Sequence, residues 1–147
     1  MKEPNAKAVT LMSRLKADGH RLTKVRSAVI ETLAVAAGPV AAAEVAAALK
    51  RRGQKCDRVT VYRELAFLVK ERLASQVRFA SGAARFELAS GHHHHLVCTG
   101  CDSAVDVCLG EETLSREMRA ISRKNNFKVL AHALEFYGLC QKCSAKR

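Results

Sequence analysis

"DRVTVYRELAFLVKERL" (57–73) runs directly into "ASQVRFASGAARFEL" (74–88), and the change of hydrophobic period between them decides the fold of the first part of the chain. In the first stretch Val61, Leu65 and Leu68 recur at i, i+4 and i+7, so they line one face of a helix, with Asp57 near its start. In the second, Val77 and Phe79 alternate with charged or small residues, "ASGA" supplies a turn, and Ala84, Phe86 and Leu88 alternate on the return. A helix followed at once by a two-stranded hairpin is predicted.

Three more helices precede it. Ala8 to Asp18 carries Val9, Met12 and Leu15 and meets Gly19 as a stop. In "RLTKVRSAVIETLAVAAG" (21–38) Thr23 can cap a helix with Val25, Val29 and Leu33 on one stripe, ended by Gly38-Pro39. "AAAEVAAALKRRG" (41–53) is built from strong helix formers, buries Val45 and Leu49 and closes at Gly53. Helix-turn-helix followed by a β wing is a DNA-binding arrangement, because the later helix fits the major groove while the hairpin reaches neighbouring backbone.

Charge agrees with that division. The net charge is +11, and residues 1–90 carry 17 Lys/Arg against 8 Asp/Glu while residues 91–147 carry 8 against 6. A basic module, which either faces phosphates or is an ordinary solvated surface, is thus followed by a nearly neutral one. The length of 147 residues fits one medium domain or two small ones, and 48% hydrophobic residues support a packed core. No apolar stretch approaches the roughly 20 residues that span a bilayer, and Met1 to Ala17 is too charged for a secretory signal. A cytoplasmic address without membrane contact is expected, and in that reducing compartment six cysteines point to metal ligation before disulfides.

The expected organisation is α+β: a winged helix-turn-helix DNA-binding domain over 1–88, a hinge at 89–91 and a small α/β domain over 92–147. In the latter, His92 to Cys98 and Ala104 to Val107 read as strands. "EETLSREMRAISRKNN" (111–126) reads as a helix with Leu114, Met118 and Ile121 inward, and Phe127 to Tyr137 as one or two further strands. Its core is thin, with Leu96, Val97, Val105, Val107, Leu134 and Phe136 as candidates, and modules this small commonly need a metal or a partner chain.

Cys98-Thr-Gly-Cys101 and Cys140-Gln-Lys-Cys143 supply that metal chemistry. Each pair projects two thiolates from one tight knuckle, and two knuckles complete the tetrahedral sulfur shell preferred by structural zinc. One such Zn²⁺ would clamp the module's last residues to its first strand. The histidine run 92–95 divides by strand geometry: His93 and His95 share one face, His92 and His94 the other. Two half-sites back to back follow, each needing further ligands. Glu87 and Asp106 are candidates for one face, and His132 with Glu112 or Glu111 for the other. His20 is solitary and reads as a hydrogen-bonded or solvent-facing histidine.

With "RLTKVR", "VTVYREL", "RFEL", the histidine run before "CTGC" and "HALEFYGLCQKC" in this order, the chain resembles the ferric uptake regulator (Fur) family of metal-dependent bacterial repressors over nearly its whole length. The resemblance implies a winged helix joined to a dimerisation domain, and hence a homodimer or higher oligomer on a double-stranded DNA operator. It implies structural Zn²⁺ on Cys98, Cys101, Cys140 and Cys143, and a regulatory ion at the domain junction on Glu87, His93, His95 and Asp106. A further site would match His92, His94, Glu112 and His132, and DNA contacts would match Thr60, Tyr62 and Arg63. Fe²⁺ is the regulatory ion the resemblance favours, in a repressor of iron uptake, while nitrogen and oxygen ligands also accept Zn²⁺ or Mn²⁺ and admit a peroxide-sensing variant.

Three departures stand out. Gly38-Pro39-Val40 occupies the place of a usual histidine ligand, so the shell would be four protein ligands alone or be completed by a water or a substitute such as His20. Asp102 replaces the glycine that often follows the first knuckle, and Lys24 stands where proline is common. Two readings of another class compete with the regulator. A metal-dependent hydrolase would need a nucleophile and base, and no H-E-x-x-H helix is present; a Cys-x-x-Cys oxidoreductase would need thiols free of metal. Cys56 and Cys108, outside both pairs, are expected as small buried apolar side chains.

Overall fold

The computed structural model describes residues 5–79, 81–89, 93–132 and 134–146, with the Glu111 side chain set aside. The chain divides into two compact units, 1–90 and 91–147. Residues 90 and 91 of the expected hinge, and His92, lie outside the described residues.

The first unit contains α1 (Ala6–Ala17), α2 (Lys24–Ala34), β1 (Val40–Ala41), α3 (Ala42–Arg51), α4 (Arg58–Lys70), β2 (Ala74–Arg78) and β3 (Ala84–Leu88). Three helices begin where a side chain meets an otherwise orphaned amide: Asn5 accepts from Lys7 N–H at 2.9 Å, Thr23 from Arg26 at 3.1 Å and Asp57 from Thr60 at 2.6 Å. In α3 the Glu44 carboxylate reaches back to the Ala41 N–H at 2.7 Å. The helix α2 ends at Ala34 rather than at Gly38, because Asn5 Nδ2 donates to the Ala34 carbonyl at 3.0 Å and closes its last turn from outside.

The core follows the helical periods except in α1, where Val9 is 44% exposed and Ala8 is buried instead, and at Met12 and Val25, which are half-buried. Leu15, Val29, Leu33, Val45, Leu49, Val61, Leu65 and Leu68 are buried, joined by Ile30, Leu73 and Phe86. Full burial of each such side chain stabilises by roughly 1.5–3 kcal/mol. The wing differs from a plain hairpin. A third strand, β1, pairs antiparallel with β3 through Val40↔Phe86 and Ala41↔Arg85, giving the order β1-β3-β2. Two residues are too few to carry an alternating signal, so the sequence announces no strand there. The segment that lacks the usual histidine ligand is therefore sheet edge, with Pro39 fully buried.

The second unit contains β4 (His94–Cys98), β5 (Ala104–Val107), α5 (Glu111–Lys124), β6 (Glu135–Gly138) and α6 (Gln141–Ser144). Its sheet has the order β5-β4-β6, with β4 antiparallel to β5 and parallel to β6. Of the one or two strands expected over 127–137, one, β6, is present among the described residues, and the short helix α6 has no counterpart in the sequence reading.

The candidate core of this unit needs correction. Val97 is buried, but Leu96 is 50%, Val105 48% and Phe136 39% exposed, and Ile121 faces outward. Leu96 stands opposite Val105 on one side and Phe136 on the other, so the three form an apolar row across one sheet face. Among the described residues, no layer of this chain covers these apolar side chains.

Candidate metal centres

The parallel pairing of β4 with β6 brings the four cysteines together. Cys98 ends β4 directly opposite Gly138 of β6, so the turn after β4 and the helix start after β6 emerge at the same end of the sheet. Thr99 ties them, its N–H and hydroxyl both donating to the Gly138 carbonyl at 2.8 and 3.1 Å. The sulfurs of Cys98, Cys101, Cys140 and Cys143 all lie within 4.8 Å of one another. Cys101 Sγ and Cys140 Sγ are 3.9 Å apart. Zn–S bonds of about 2.3 Å place tetrahedral sulfurs roughly 3.8 Å apart, so the donor set fits a zinc ion in number, type and spacing.

The electrostatics of the quartet are graded. The Cys140 N–H donates to Cys98 Sγ at 3.2 Å and the Gly100 N–H at 3.4 Å, and these amides, the first above all, pull the Cys98 thiol down to about 6. The Ser103 hydroxyl, 3.1 Å from Cys101 Sγ, is the main cause of a lowered value there. Cys143 is pushed up to about 12, chiefly by hydrogen bonding with Cys140 and then with Cys98 and Cys101. Sulfurs this close cannot all ionise unaided, and a divalent cation is what permits it.

Two supporting residues carry no obvious sequence signal. Gly100 is fixed by space: a Cβ there would meet the Cβ and Sγ of Cys143 at 3.0 Å. Ser103 is legible only as a hydroxyl two residues past a ligand. Asp102, by contrast, stands at φ +55°, the left-handed conformation that favours glycine and that Asp tolerates at some cost.

A second cluster is made of nitrogen and oxygen. His95 in β4 faces Asp106 in β5 across the ladder, and His93 precedes the strand on the same side. Asp106 Oδ1 lies 3.8 Å from His95 Nε2 and 4.0 Å from His93 Nε2, and the two imidazoles stand edge to face at 5.0 Å. Their ligand atoms fall within 4.8 Å of one another. Two imidazoles and a carboxylate suit Fe²⁺, Mn²⁺ or Zn²⁺. Glu87 belongs to the first unit, in β3, on the face opposite Phe86 and Leu88.

The remaining expected ligands are less assembled. His94 and His132 meet, with ring centroids 5.4 Å apart. Glu112 is exposed and, among the described residues, is not gathered with them. His20 is not a spare ligand: its Nε2 lies 3.2 Å from the Glu71 carboxylate and its ring packs edge-on against Phe67. Cys56 packs half-buried against the core, whereas Cys108 is exposed, contrary to expectation, on the short segment between β5 and α5.

On α4 the outward residues are Val59, Tyr62, Arg63 and Ala66, at helical spacing on the face away from Val61, Leu65 and Leu68. Tyr62 rests edge-on against Phe86 of the wing at 5.7 Å. Thr60 is half-buried with its amide committed to Asp57.

Comparison with known proteins settles the fold and the class. The description "Ferric uptake regulator family" matches residues 17–137. The chain belongs to the ferric uptake regulator family. The ferric uptake regulation protein of Legionella pneumophila is 34% identical over 132 residues, covering 88% of this chain and 96% of its own. The zinc uptake regulation protein of Mycobacterium tuberculosis (strain ATCC 25618 / H37Rv) is 30% identical over 130 residues, covering 88% and 98%. The crystal structure of the Vibrio cholerae ferric uptake regulator has a TM-score of 0.74 at 28% identity, covering 87% of this chain and 98% of that one. This Fur-family chain is a metal-responsive, DNA-binding transcriptional regulator, and relatives named for iron and for zinc stand at similar distance from it.

Proposed function

We propose that this Fur-family protein is an iron-responsive repressor that acts as a homodimer. One observation carries the reading: an all-sulfur cluster and a separate imidazole–carboxylate cluster share the strand β4, so the chain has one donor set for a permanent ion and another for an exchangeable one. Cys98, Cys101, Cys140 and Cys143 would hold structural zinc. Glu87, His93, His95 and Asp106 would hold the regulatory ion, which supplies the charge that joins two carboxylates to two neutral imidazoles.

Glu87 would join that set across a short tether. It precedes His93 by six residues, at most about 20 Å of extended chain. Engaging its carboxylate restrains the winged unit and favours one arrangement of the reading helices. The restraint acts only through its preference for that arrangement, about 5.5 kcal/mol for a full swing from 1:99 to 99:1. On DNA, Arg63 and Tyr62 of α4, with Thr60 nearby, touch base edges. The apolar row Val105–Leu96–Phe136 supports pairing with a second copy of the chain.

The test is anaerobic. Duplexes selected from a random library are titrated with zinc-loaded protein, adding Fe²⁺, Mn²⁺ or Zn²⁺ separately. Fe²⁺ is expected to raise affinity most. A His93→Ala/His95→Ala double variant that keeps the full metal response would overturn the site assignment, and a larger response to Zn²⁺ would overturn the choice of iron.

A further inference from the structure

The sequence between α3 and α4 places cations where helix physics disfavours them. Lys50, Arg51 and Arg52 end α3, where the negative end of the helix dipole welcomes them. Lys55 and Arg58 are different. Arg58 is the first residue of α4 and Lys55 lies two residues before its cap, at the positive end of that helix, and α4 has no acid in its first turn. A cation there works against the fold, and such local conflicts concentrate at functional surfaces.

The segment is held rigidly. Gly53 at φ +75° turns the chain, its N–H bonding to the Lys50 carbonyl at 3.0 Å and that of Gln54 to Leu49 at 3.1 Å. Cys56 anchors the next residues against the core, and Asp57 caps α4. Lys50, Arg51, Lys55 and Arg58 are all exposed, and among the described residues none of them has an ion-pair partner. Arg52 does have one, Glu31 at 3.3 Å. Asp57, the acid within the segment, is committed to the Thr60 amide.

We propose that Lys50, Arg51, Lys55 and Arg58 form a phosphate-binding strip that seats α4 on the DNA backbone independently of base sequence. The proposal rests on the reading of this unit as a DNA-binding head and adds a second kind of contact to it. The N-terminal end of a groove-reading helix lies nearest the duplex, so a rigid turn leading into that end meets the flanking phosphates. Val59, Tyr62, Arg63 and Ala66 face outward from the same end of α4, and Arg58 and Tyr62 stand one helical turn apart. The strip fixes position while the outward face of α4 reads sequence.

The test compares the full-length, zinc-loaded protein with two double variants, Lys55→Gln/Arg58→Gln and Lys50→Gln/Arg51→Gln, on a short mixed-sequence duplex at fixed low Mn²⁺ while monovalent salt is varied. Each phosphate contact contributes about 0.9 to the slope of log affinity against log salt, so each double variant loses about 1.8 per bound protomer. Over a fourfold rise in salt the wild type then loses about tenfold more affinity than either variant. Melting temperature separates this from damage to the fold: the Lys55/Arg58 variant melts at the same temperature or higher, and the Lys50/Arg51 variant slightly lower, with the same change of slope. Unchanged slopes in variants of a wild type that binds would overturn the strip alone. A wild type that binds no duplex would overturn the DNA-reading assignment with it.

Discussion

Arg85 of the wing and Glu44 of α3 meet at 3.0 Å, with the Arg85 side chain 8% and the Glu44 side chain 55% exposed. The same carboxylate accepts the Ala41 N–H, and Arg85 also donates to the Pro39 carbonyl at 3.2 Å. One acidic side chain therefore caps a helix, pins β1 beside β3 and partners a guanidinium that the sheet has taken out of water. Replacing it leaves a desolvated cation with the Pro39 carbonyl as its remaining partner among the described residues. Glu44→Ala is expected to lower stability by about 1–3 kcal/mol, discounted for the exposed carboxylate, whereas Glu31→Ala, which loses only an exposed pair with Arg52, costs under about 1 kcal/mol. Urea unfolding of the two variants side by side checks the order.

Two substitutions in the first zinc knuckle should act in opposite directions. Gly100→Ala places a methyl 3.0 Å from a ligand sulfur and displaces Cys143, so zinc affinity should fall about tenfold or more in chelator competition. Asp102→Gly relieves a left-handed backbone at a non-glycine residue and should raise the stability of the zinc-loaded protein by about 0.5–1 kcal/mol. Equal losses from both changes would mean that the turn is not held as described.

Zinc uptake should release more protons as the solution becomes more acidic. Ligands must be deprotonated to bind, so Cys143, at about 12 without the ion, gives up a proton throughout the neutral range. Cys98, at about 6, is already ionised at pH 7 and releases almost none. Below about 6 it is protonated and adds its own proton to the count. Calorimetry in buffers of differing ionisation enthalpy should therefore show proton release rising by about one between neutral pH and pH 5, with affinity falling more steeply in that interval. A constant count would contradict the graded quartet.

Leu96→Glu places a charge at the centre of the exposed apolar row. If that row pairs two copies of the chain, self-association should weaken at least about 30-fold by sedimentation, while zinc content stays stoichiometric because Leu96 is not a ligand. An unchanged dimer would assign the row to something else.

What the sequence made legible follows the strength of each local signal. The helical periods named Val45, Leu49, Val61, Leu65 and Leu68 as core, and all are buried, because a 3.6-residue apolar repeat kept over three turns is the mark of a helix with one face against the interior. The cysteine quartet was legible because its spacing is the chemistry. Alternation along a strand separated His93 and His95 from His94, and the first two meet Asp106 while the third meets His132. The second unit's core was misjudged for a physical reason. Leu96, Val105 and Phe136 are apolar in the pattern of a buried strand, but hydrophobicity does not state whether the covering layer belongs to the same chain. The strand β1 and the contacts of Arg85 and Gly100 were invisible because they depend on residues distant in sequence.

The strand β4 carries His95 and Cys98 only three residues apart, about 10 Å along a stiff ribbon. If the thiolates hold structural zinc and the imidazoles the regulatory ion, as proposed, loosening the sulfur end would shift the imidazole end, and metallation would be ordered, with the thiolate clamp closing first. A cell starved of zinc would therefore make a regulator deaf to its second metal, and stripping the first ion in the laboratory would look like a failure of sensing when it is a failure of assembly.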